Sequence, residues 1–153
     1  SRERTRVDKS FSRKINVLLV DDSRIVLAHI ERTLSYVEDV SIVGFARDGA
    51  ASIRMANESK PDLVLLDIVM PGLDGLSALR TIKSMHPQMY VAMVSSIGGD
   101  SAKAQEAFRL GACQVLGKPL DAQMIESLVE TIRVELSEAE VADGEEAASG
   151  DAD

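Results

Sequence analysis

The chain has 153 residues, enough for one domain with a full core, and 45% of them are hydrophobic. A net charge of −8 and only 3% aromatic residues argue against a general nucleic-acid-binding protein. No apolar run approaches the ~20 residues that a membrane-spanning helix needs. The single cysteine, Cys113, cannot form an internal disulfide, and its small and apolar neighbours predict a buried thiol. We therefore expect a protein of the reducing cytoplasm.

Charge is concentrated at the two ends of the chain. Residues 1–14 carry six basic and two acidic residues without periodicity, which predicts a flexible basic arm. Residues 137–153 are acidic, small and low in complexity, which predicts a disordered tail. The folded domain is therefore expected to span residues 15–136.

Apolar runs bounded by turn residues predict five strands in this domain. The runs are Ile15–Val20, Val40–Ala46, Leu63–Leu66, Tyr90–Val94 and Cys113–Leu116. Helical patterns follow them: one begins after Ser23, two cover Ala50–Ser59 and Leu76–Met85, one runs from Asp100 or Ser101 to Leu110, and the last runs from Asp121 to Leu136. Alternating strands and helices predict parallel strands with right-handed crossovers. Five units in about 120 residues are too few for an eight-fold barrel, so an open, doubly wound α/β sheet is expected.

Polar side chains follow four of these strands. Asp21 and Asp22 end the first strand, Asp67 the third, Ser95 the fourth and Lys118 the fifth. The carboxyl ends of parallel strands meet at one edge of the sheet, where ligands bind in such folds. Three converging carboxylates repel unless a cation lies between them, and oxygen ligands suit Mg²⁺. With Lys118 and Ser95 to hold an anion, the set indicates phosphoryl chemistry with Asp67 as nucleophile.

Each of these residues also has a purely structural explanation. Asp21 and Asp22 can cap the first helix, Asp67 can begin a turn, and Ser95 and Lys118 can be strand-end and surface residues. Their joint placement at one sheet edge, with complementary charge, favours the functional interpretation.

Four motifs in this order resemble those of receiver domains of two-component response regulators. The resemblance covers roughly residues 15–136 and rests on LLVDDS (Leu18–Ser23), PDLVLLDIVMPGLDG (Pro61–Gly75), MVSS (Met93–Ser96) and GKP (Gly117–Pro119). It implies a flavodoxin-like fold with five parallel strands in the order 2-1-3-4-5. The residues around MVSS, and the GAC sequence at residues 111–113, are also similar to those in the receivers of chemotaxis methylesterases.

The resemblance implies roles for the acidic residues. Asp67 would be the phosphoacceptor, charged by the phosphohistidine of a sensor histidine kinase. Asp22 and Asp67 would bind Mg²⁺ directly, Asp21 would bind it partly through water, and the backbone carbonyl of Val69 would complete the site.

The family also implies roles for the other two strand-end residues and for an output surface. Ser95 would be the switch hydroxyl, and Lys118 would pair with a phosphoryl oxygen beside a cis Lys118–Pro119 bond. An effector protein would bind the face formed by the fourth helix, fifth strand and fifth helix. The protein would be a monomer or a phosphorylation-dependent dimer, and would not be a turnover enzyme.

Three other functions are compatible with parts of the sequence. A Mg-dependent phosphatase with an aspartate nucleophile typically has a second aspartate two residues later, but that position is Val69. The chain could also be the receiver fragment of a larger regulator, such as a chemotaxis methylesterase, which the length of the open reading frame would decide. A phosphate sink without an effector is the third alternative.

Two departures from the family pattern concern the switch and the lifetime of the phosphoryl group. The usual aromatic switch position, three before the lysine, is Val115, so signalling through the loop Ser95–Gly99 is expected instead. The two positions that commonly orient the hydrolytic water are Val69 and Ile97.

We predict slow autodephosphorylation, because neither Val69 nor Ile97 can hydrogen-bond a water. Val69→Asn should accelerate loss of the phosphoryl group, measured as decay of the labelled protein after the donor is removed. Fast decay in the unaltered chain, left unchanged by Val69→Asn, would contradict this expectation.

Overall fold

Five parallel strands form one sheet in the computed structural model, which describes residues 13–96 and 101–151, with side chains as far as residue 144. The strands are β1 (Ile15–Val20), β2 (Val40–Ala46), β3 (Leu63–Asp67), β4 (Tyr90–Ser95) and β5 (Gln114–Gly117). Their order is β2-β1-β3-β4-β5, and every neighbouring pair is parallel. The predicted doubly wound sheet and its 2-1-3-4-5 order are therefore confirmed.

Five helices follow the strands in the described part of the chain. They are α1 (Arg24–Leu34), α2 (Gly49–Ser59), α3 (Gly75–Met85), α4 (Ser101–Arg109) and α5 (Ala122–Asp151). Side chains accept hydrogen bonds from the first turns of four of them, at Ser23, Asp48, Asp74 and Asp121. These caps satisfy backbone donors that have no partner within the helix. None of the helices described is long and apolar enough to cross a membrane.

Strand β3 lies at the centre of the sheet, and all five of its residues are buried. Leu63 and Leu65 join the core beneath α1 and α5, whereas Val64 and Leu66 join the core beneath α2, α3 and α4. Burying each such side chain contributes about 1.5–3 kcal/mol. The strand is therefore anchored on both faces, and its last residue, Asp67, is held at a defined position.

The loop after β3 returns closely to the strand end. The Gly75 amide donates a hydrogen bond to the Ile68 carbonyl over 2.9 Å. A Cβ at Gly75 would overlap the carbonyl oxygen of Asp67, so only glycine permits this approach. The PGLDG sequence thus begins α3 directly against the strand end that carries Asp67.

Strand β5 begins one residue later than predicted, at Gln114 instead of Cys113. Cys113 is exposed, so the prediction of a buried thiol is wrong. The reason is that β5 is an edge strand with exposed residues at both of its ends. Small and apolar neighbours in sequence do not reveal which strand lies at the edge of a sheet.

Helix α5 continues to Asp151, well beyond the predicted end at Leu136. Residues 137–151 are therefore helical where their composition predicted disorder. The first half of α5 is docked by Ile125, Val129 and Ile132, and a docked helix supplies the nucleus that an isolated segment lacks. The Ala- and Glu-rich sequence that follows contains no proline and can extend it.

The predicted basic arm lies mostly outside the described residues, which begin at Arg13. Arg13 itself is tied to the domain, since its guanidinium donates to both carboxylate oxygens of Asp62 over 2.7 and 2.9 Å. Arg13, which the sequence assigned to the arm, therefore contacts the domain through Asp62.

Candidate functional site

Three carboxylates meet at the carboxyl edge of the sheet. Asp21 directly follows β1 and is 1% exposed, Asp22 is exposed, and Asp67 is the last residue of β3 and is 5% exposed. One oxygen from each lies within 4.8 Å of the others. Backbone amides orient two of them: Ser23 N donates to Asp21 Oδ1 over 2.9 Å, and Val69 N donates to Asp67 Oδ1 over 3.3 Å.

Lys118 supplies positive charge to this cluster. Its Nζ lies 2.9 Å from Asp21 Oδ2 and 3.4 Å from Asp67 Oδ2. The lysine follows β5, and a cis peptide bond joins it to Pro119, as the family pattern implies. One ammonium group therefore bridges the ends of β1 and β3.

The carboxylates and the lysine of this cluster shift one another's pKa values. Burial and the charge of Asp21 raise the pKa of Asp67, and the nearby Lys118 opposes that rise. For Lys118, burial lowers the pKa, but the contacts with Asp21 and Asp67 outweigh it and the net shift is upward. Lys118 is therefore held firmly in its charged form beside the carboxylates.

Ser95 and Val69 adjoin the cluster, Ser95 through its backbone and Val69 with an exposed apolar side chain. Ser95 is the last residue of β4, and its carbonyl accepts a hydrogen bond from Lys118 N over 2.7 Å. The ends of β4 and β5 are thereby coupled through their backbones. The Val69 side chain is 64% exposed, so an apolar surface borders the carboxylates on this side.

Of the two remaining predicted positions, Val115 lies within the described part of the chain. Ile97 falls within residues 97–100, outside the described part of the chain. Val115 is half-buried and packs against the core beneath α2, α3 and α4. It fills space at the position where the family pattern has an aromatic side chain.

One contributor to the site was missed by sequence reasoning, which assigned no polar group to the end of the second strand. Arg47 follows β2, and its guanidinium donates to the Asp22 carbonyl over 3.3 Å. The signal was available, because Arg47 comes directly after Ala46 and so lies at the same sheet edge. The outer strand therefore helps to hold the loop that carries the exposed carboxylate.

The donor set fits a hard divalent cation. Asp21 Oδ2 is buried, and among the described residues only the ammonium of Lys118, 2.9 Å away, compensates its charge. Three carboxylates against one ammonium leave a net negative site open to solvent through Asp22. A cation bound by oxygen ligands would neutralise this excess.

A family model described as the response regulator receiver domain matches residues 17–130. Among curated proteins, the chain is 42% identical over 105 residues to protein-glutamate methylesterase/protein-glutamine glutaminase 5 of Myxococcus xanthus strain DK1622. The matched segment covers 69% of this chain and 30% of that relative. The chain thus spans about 30% of the length of such curated relatives.

Solved structures agree with this assignment. The response regulator domain of Thermotoga maritima CheB is similar with a TM-score of 0.69 and 38% identity, over 79% of this chain and 95% of that one. A chain of the CheX-CheY-BeF3-Mg+2 complex from Borrelia burgdorferi is similar with a TM-score of 0.70 and 28% identity. That match covers 77% of this chain and 88% of the Borrelia chain.

We predict that Lys118→Met destabilises the metal-free protein by about 1–3 kcal/mol, because it leaves two adjacent buried carboxylates without their cation. The value is below that of a fully buried pair, because the Lys118 side chain is 22% exposed. Urea unfolding in the presence of a chelator measures the change. Lys103→Met, which alters an exposed lysine of α4, should leave stability nearly unaffected, and equal losses in both variants would contradict the argument.

Proposed function

Because the chain belongs to the response regulator receiver family, we propose that it is a phosphorylation-dependent signalling switch that accepts a phosphoryl group on Asp67. The donor is the phosphohistidine of a sensor histidine kinase, the reaction requires Mg²⁺, and the output is binding to an effector protein. The observation that carries this proposal is the grouping of Asp21, Asp22 and Lys118 around the buried Asp67.

The transfer step is a displacement at phosphorus. A carboxylate oxygen of Asp67 forms the new P–O bond while the P–N bond to the donor imidazole breaks, and the imidazole nitrogen keeps the electron pair. Asp21, Asp22, Asp67 and the Val69 carbonyl would hold Mg²⁺, which neutralises charge on the phosphoryl oxygens. The anchoring of β3 on both faces keeps Asp67 in position for this step.

Lys118 and Ser95 are suited to hold the transferred group. Lys118 already lies 3.4 Å from Asp67, so a phosphoryl group there offers its ammonium a new anionic partner. The Ser95 hydroxyl can donate to a second phosphoryl oxygen. Since the Ser95 carbonyl is hydrogen-bonded to Lys118 N, movements of the two residues toward the phosphoryl group would be coupled.

The kinase can approach through a groove beside the site. A cavity of about 480 Å³ lies between α1 and the segment after β5, and Lys118 forms part of its wall. Ile25, Val26 and Pro119 make the wall largely apolar, and Ile25 is 84% exposed. An apolar surface that continues directly into the phosphoacceptor site suits a protein donor that must dock before transfer.

The surface formed by α4, β5 and α5 is the proposed effector site. Strand β5 is an edge strand with Gln114 exposed, and Phe108 of α4 is 50% exposed. A cavity of about 210 Å³ separates β5 from α5 and is lined in part by Met124 and Ser127. Strand β5 of this surface leads directly to Lys118, and the adjacent strand β4 ends at Ser95, whose carbonyl accepts the hydrogen bond from Lys118 N.

A second candidate function is the regulatory receiver of a longer methylesterase. The similarity to receivers of protein-glutamate methylesterases favours it, since those relatives extend well beyond the matched segment. In that case the effector would be an esterase domain in the same protein. The phosphoryl-transfer chemistry proposed for Asp67 would be the same, and the receiver itself would not be a turnover enzyme.

We predict that Asp67→Asn abolishes phosphoryl labelling by a panel of histidine kinases from the same cell, because the amide is not a nucleophile for phosphorus. Asp74→Asn is the matched control, since Asp74 lies in the same loop but caps α3 through Ser77 N over 2.9 Å. Labelling should persist in Asp74→Asn and should require Mg²⁺. Labelling that survives in Asp67→Asn would overturn the assignment of the phosphoacceptor.

We also predict that Ile25→Ser slows labelling by the kinase about tenfold without slowing labelling by acetyl phosphate. A small donor needs no docking surface, whereas loss of one exposed apolar anchor weakens a protein contact by about 1–2 kcal/mol. Tyr36→Ser is the control, because Tyr36 is 72% exposed and lies beyond the far end of α1. Equal slowing with both donors would place the effect in the chemistry instead of the docking.

A further inference from the structure

A second groove lies at the amino edge of the sheet, opposite the carboxylate site. Its volume is about 350 Å³, and Pro61, Pro87, Met89 and Leu136 form much of its wall. Pro61 and Met89 lie just before β3 and β4, whereas Leu136 belongs to α5. The groove therefore ends where the distal part of α5 begins.

The described chain begins at the rim of this groove. Asp62 lines it and holds the guanidinium of Arg13 with two hydrogen bonds of 2.7 and 2.9 Å. The hydrogen bond with Asp62 raises the pKa of Arg13 against the opposing effect of burial, and the charges of Asp62 and Glu140 add to the rise. Glu140 is thus close enough for its charge to act on Arg13.

The distal part of α5, residues 137–151, needs positive charge that its own sequence lacks. It contains six acidic and no basic residues: Glu138, Glu140, Asp143, Glu145, Glu146 and Asp151. Acidic residues near a helix C-terminus interact unfavourably with the helix dipole and with one another. Two weak helix formers, Gly144 and Gly150, add to the cost. Residues 138–144 are all exposed, so packing against the domain does not compensate.

We propose that residues 1–12 dock on this pole of the domain, with Phe11 in the groove and the basic residues against the distal part of α5. The segment contains four basic and two acidic residues; the basic ones are Arg2, Arg4, Arg6 and Lys9. It would supply the missing cations to the acidic helix. The interaction is a contact within one chain, separate from the phosphoryl site.

The dimensions permit this arrangement. Phe11 is two residues before Arg13, so it lies within ~7 Å of a residue clamped at the groove rim. Twelve extended residues reach up to ~40 Å, whereas the fifteen residues of the distal helix span ~22 Å. The segment is therefore long enough to follow the acidic helix over its whole length.

The placement can be tested with a spin label on the full chain. We place the label at Ser1→Cys in a Cys113→Ser background, because Cys113 is the only natural cysteine. We expect the spin label to cause strong paramagnetic relaxation of the amide protons in residues 137–151. This relaxation should become much weaker when the Phe11→Ser variant is measured in 1 M NaCl. Mixing labelled protein with isotope-labelled, spin-free protein separates contacts within a chain from contacts between chains.

The energetic part is tested by hydrogen exchange of the amides in residues 138–150. Arg2→Glu, Arg4→Glu and Arg6→Glu together should accelerate exchange there about tenfold at low salt. The matched control reverses three exposed basic residues elsewhere, Arg54, Arg80 and Lys103, and should leave exchange in that helix unchanged. We call the triple Arg-to-Glu variant the arm variant. Adding Glu138→Lys, Glu140→Lys and Asp143→Lys to it should restore the protection of these amides from exchange.

The outcomes separate the proposal from its competitors. Relaxation within one chain, together with exchange that responds to the arm charges and not to the control, supports it. Relaxation seen only in the mixed sample would mean that the groove binds a second copy of the chain, which overturns it. Equal exchange in the arm variant and the control would mean that the helix does not need the arm, which also overturns it.

Discussion

The structure depends on one concentrated charge arrangement, in which a single ammonium lies between two buried carboxylates. Asp21, Asp67 and Lys118 follow or end three different strands, so their contacts link the ends of β1, β3 and β5 at one edge. The arrangement is incomplete by itself, since one ammonium faces both Asp21 and Asp67, and Asp22 adds a further negative charge. A folded site that is still short of positive charge fits a cation held by oxygen ligands, which the proposed phosphoryl transfer requires. Stability and the proposed chemistry therefore draw on the same residues.

Much of this edge could be predicted from sequence because the rule involved is simple. Parallel strands end at the same side, so a polar residue placed directly after each apolar run must join the others. Leu63–Leu66 identified the central strand, since only a strand covered on both faces is apolar without alternation. The grouping of Asp21, Asp22, Asp67 and Lys118 followed from that topology. The roles given to them remain part of the proposal.

The features that sequence reasoning missed depend on neighbours that are distant along the chain. Cys113 has apolar neighbours in sequence but lies beside an edge strand, which only the sheet order reveals. Arg47 directly follows Ala46, which marks it for the same sheet edge, but its partner is the backbone carbonyl of Asp22, far away along the chain. The length of α5 was underestimated because composition describes an isolated segment, whereas Ile125, Val129 and Ile132 dock the start of the helix and nucleate the rest.

Helix α5 connects the two poles of the domain and constrains how they can influence each other. It begins four residues after Lys118, and Leu136 lies in the groove near Arg13, so ~21 Å of helix separates the poles. In physiological salt, the interaction between exposed charges is screened over ~8 Å. A charge added at Asp67 would therefore act only weakly on the acidic helix. Any coupling would have to be mechanical, through displacement of a helix that Ile125, Val129 and Ile132 fix to the core. A packed helix resists small rotations, so the proposed arm contact should persist whether or not Asp67 carries a phosphoryl group.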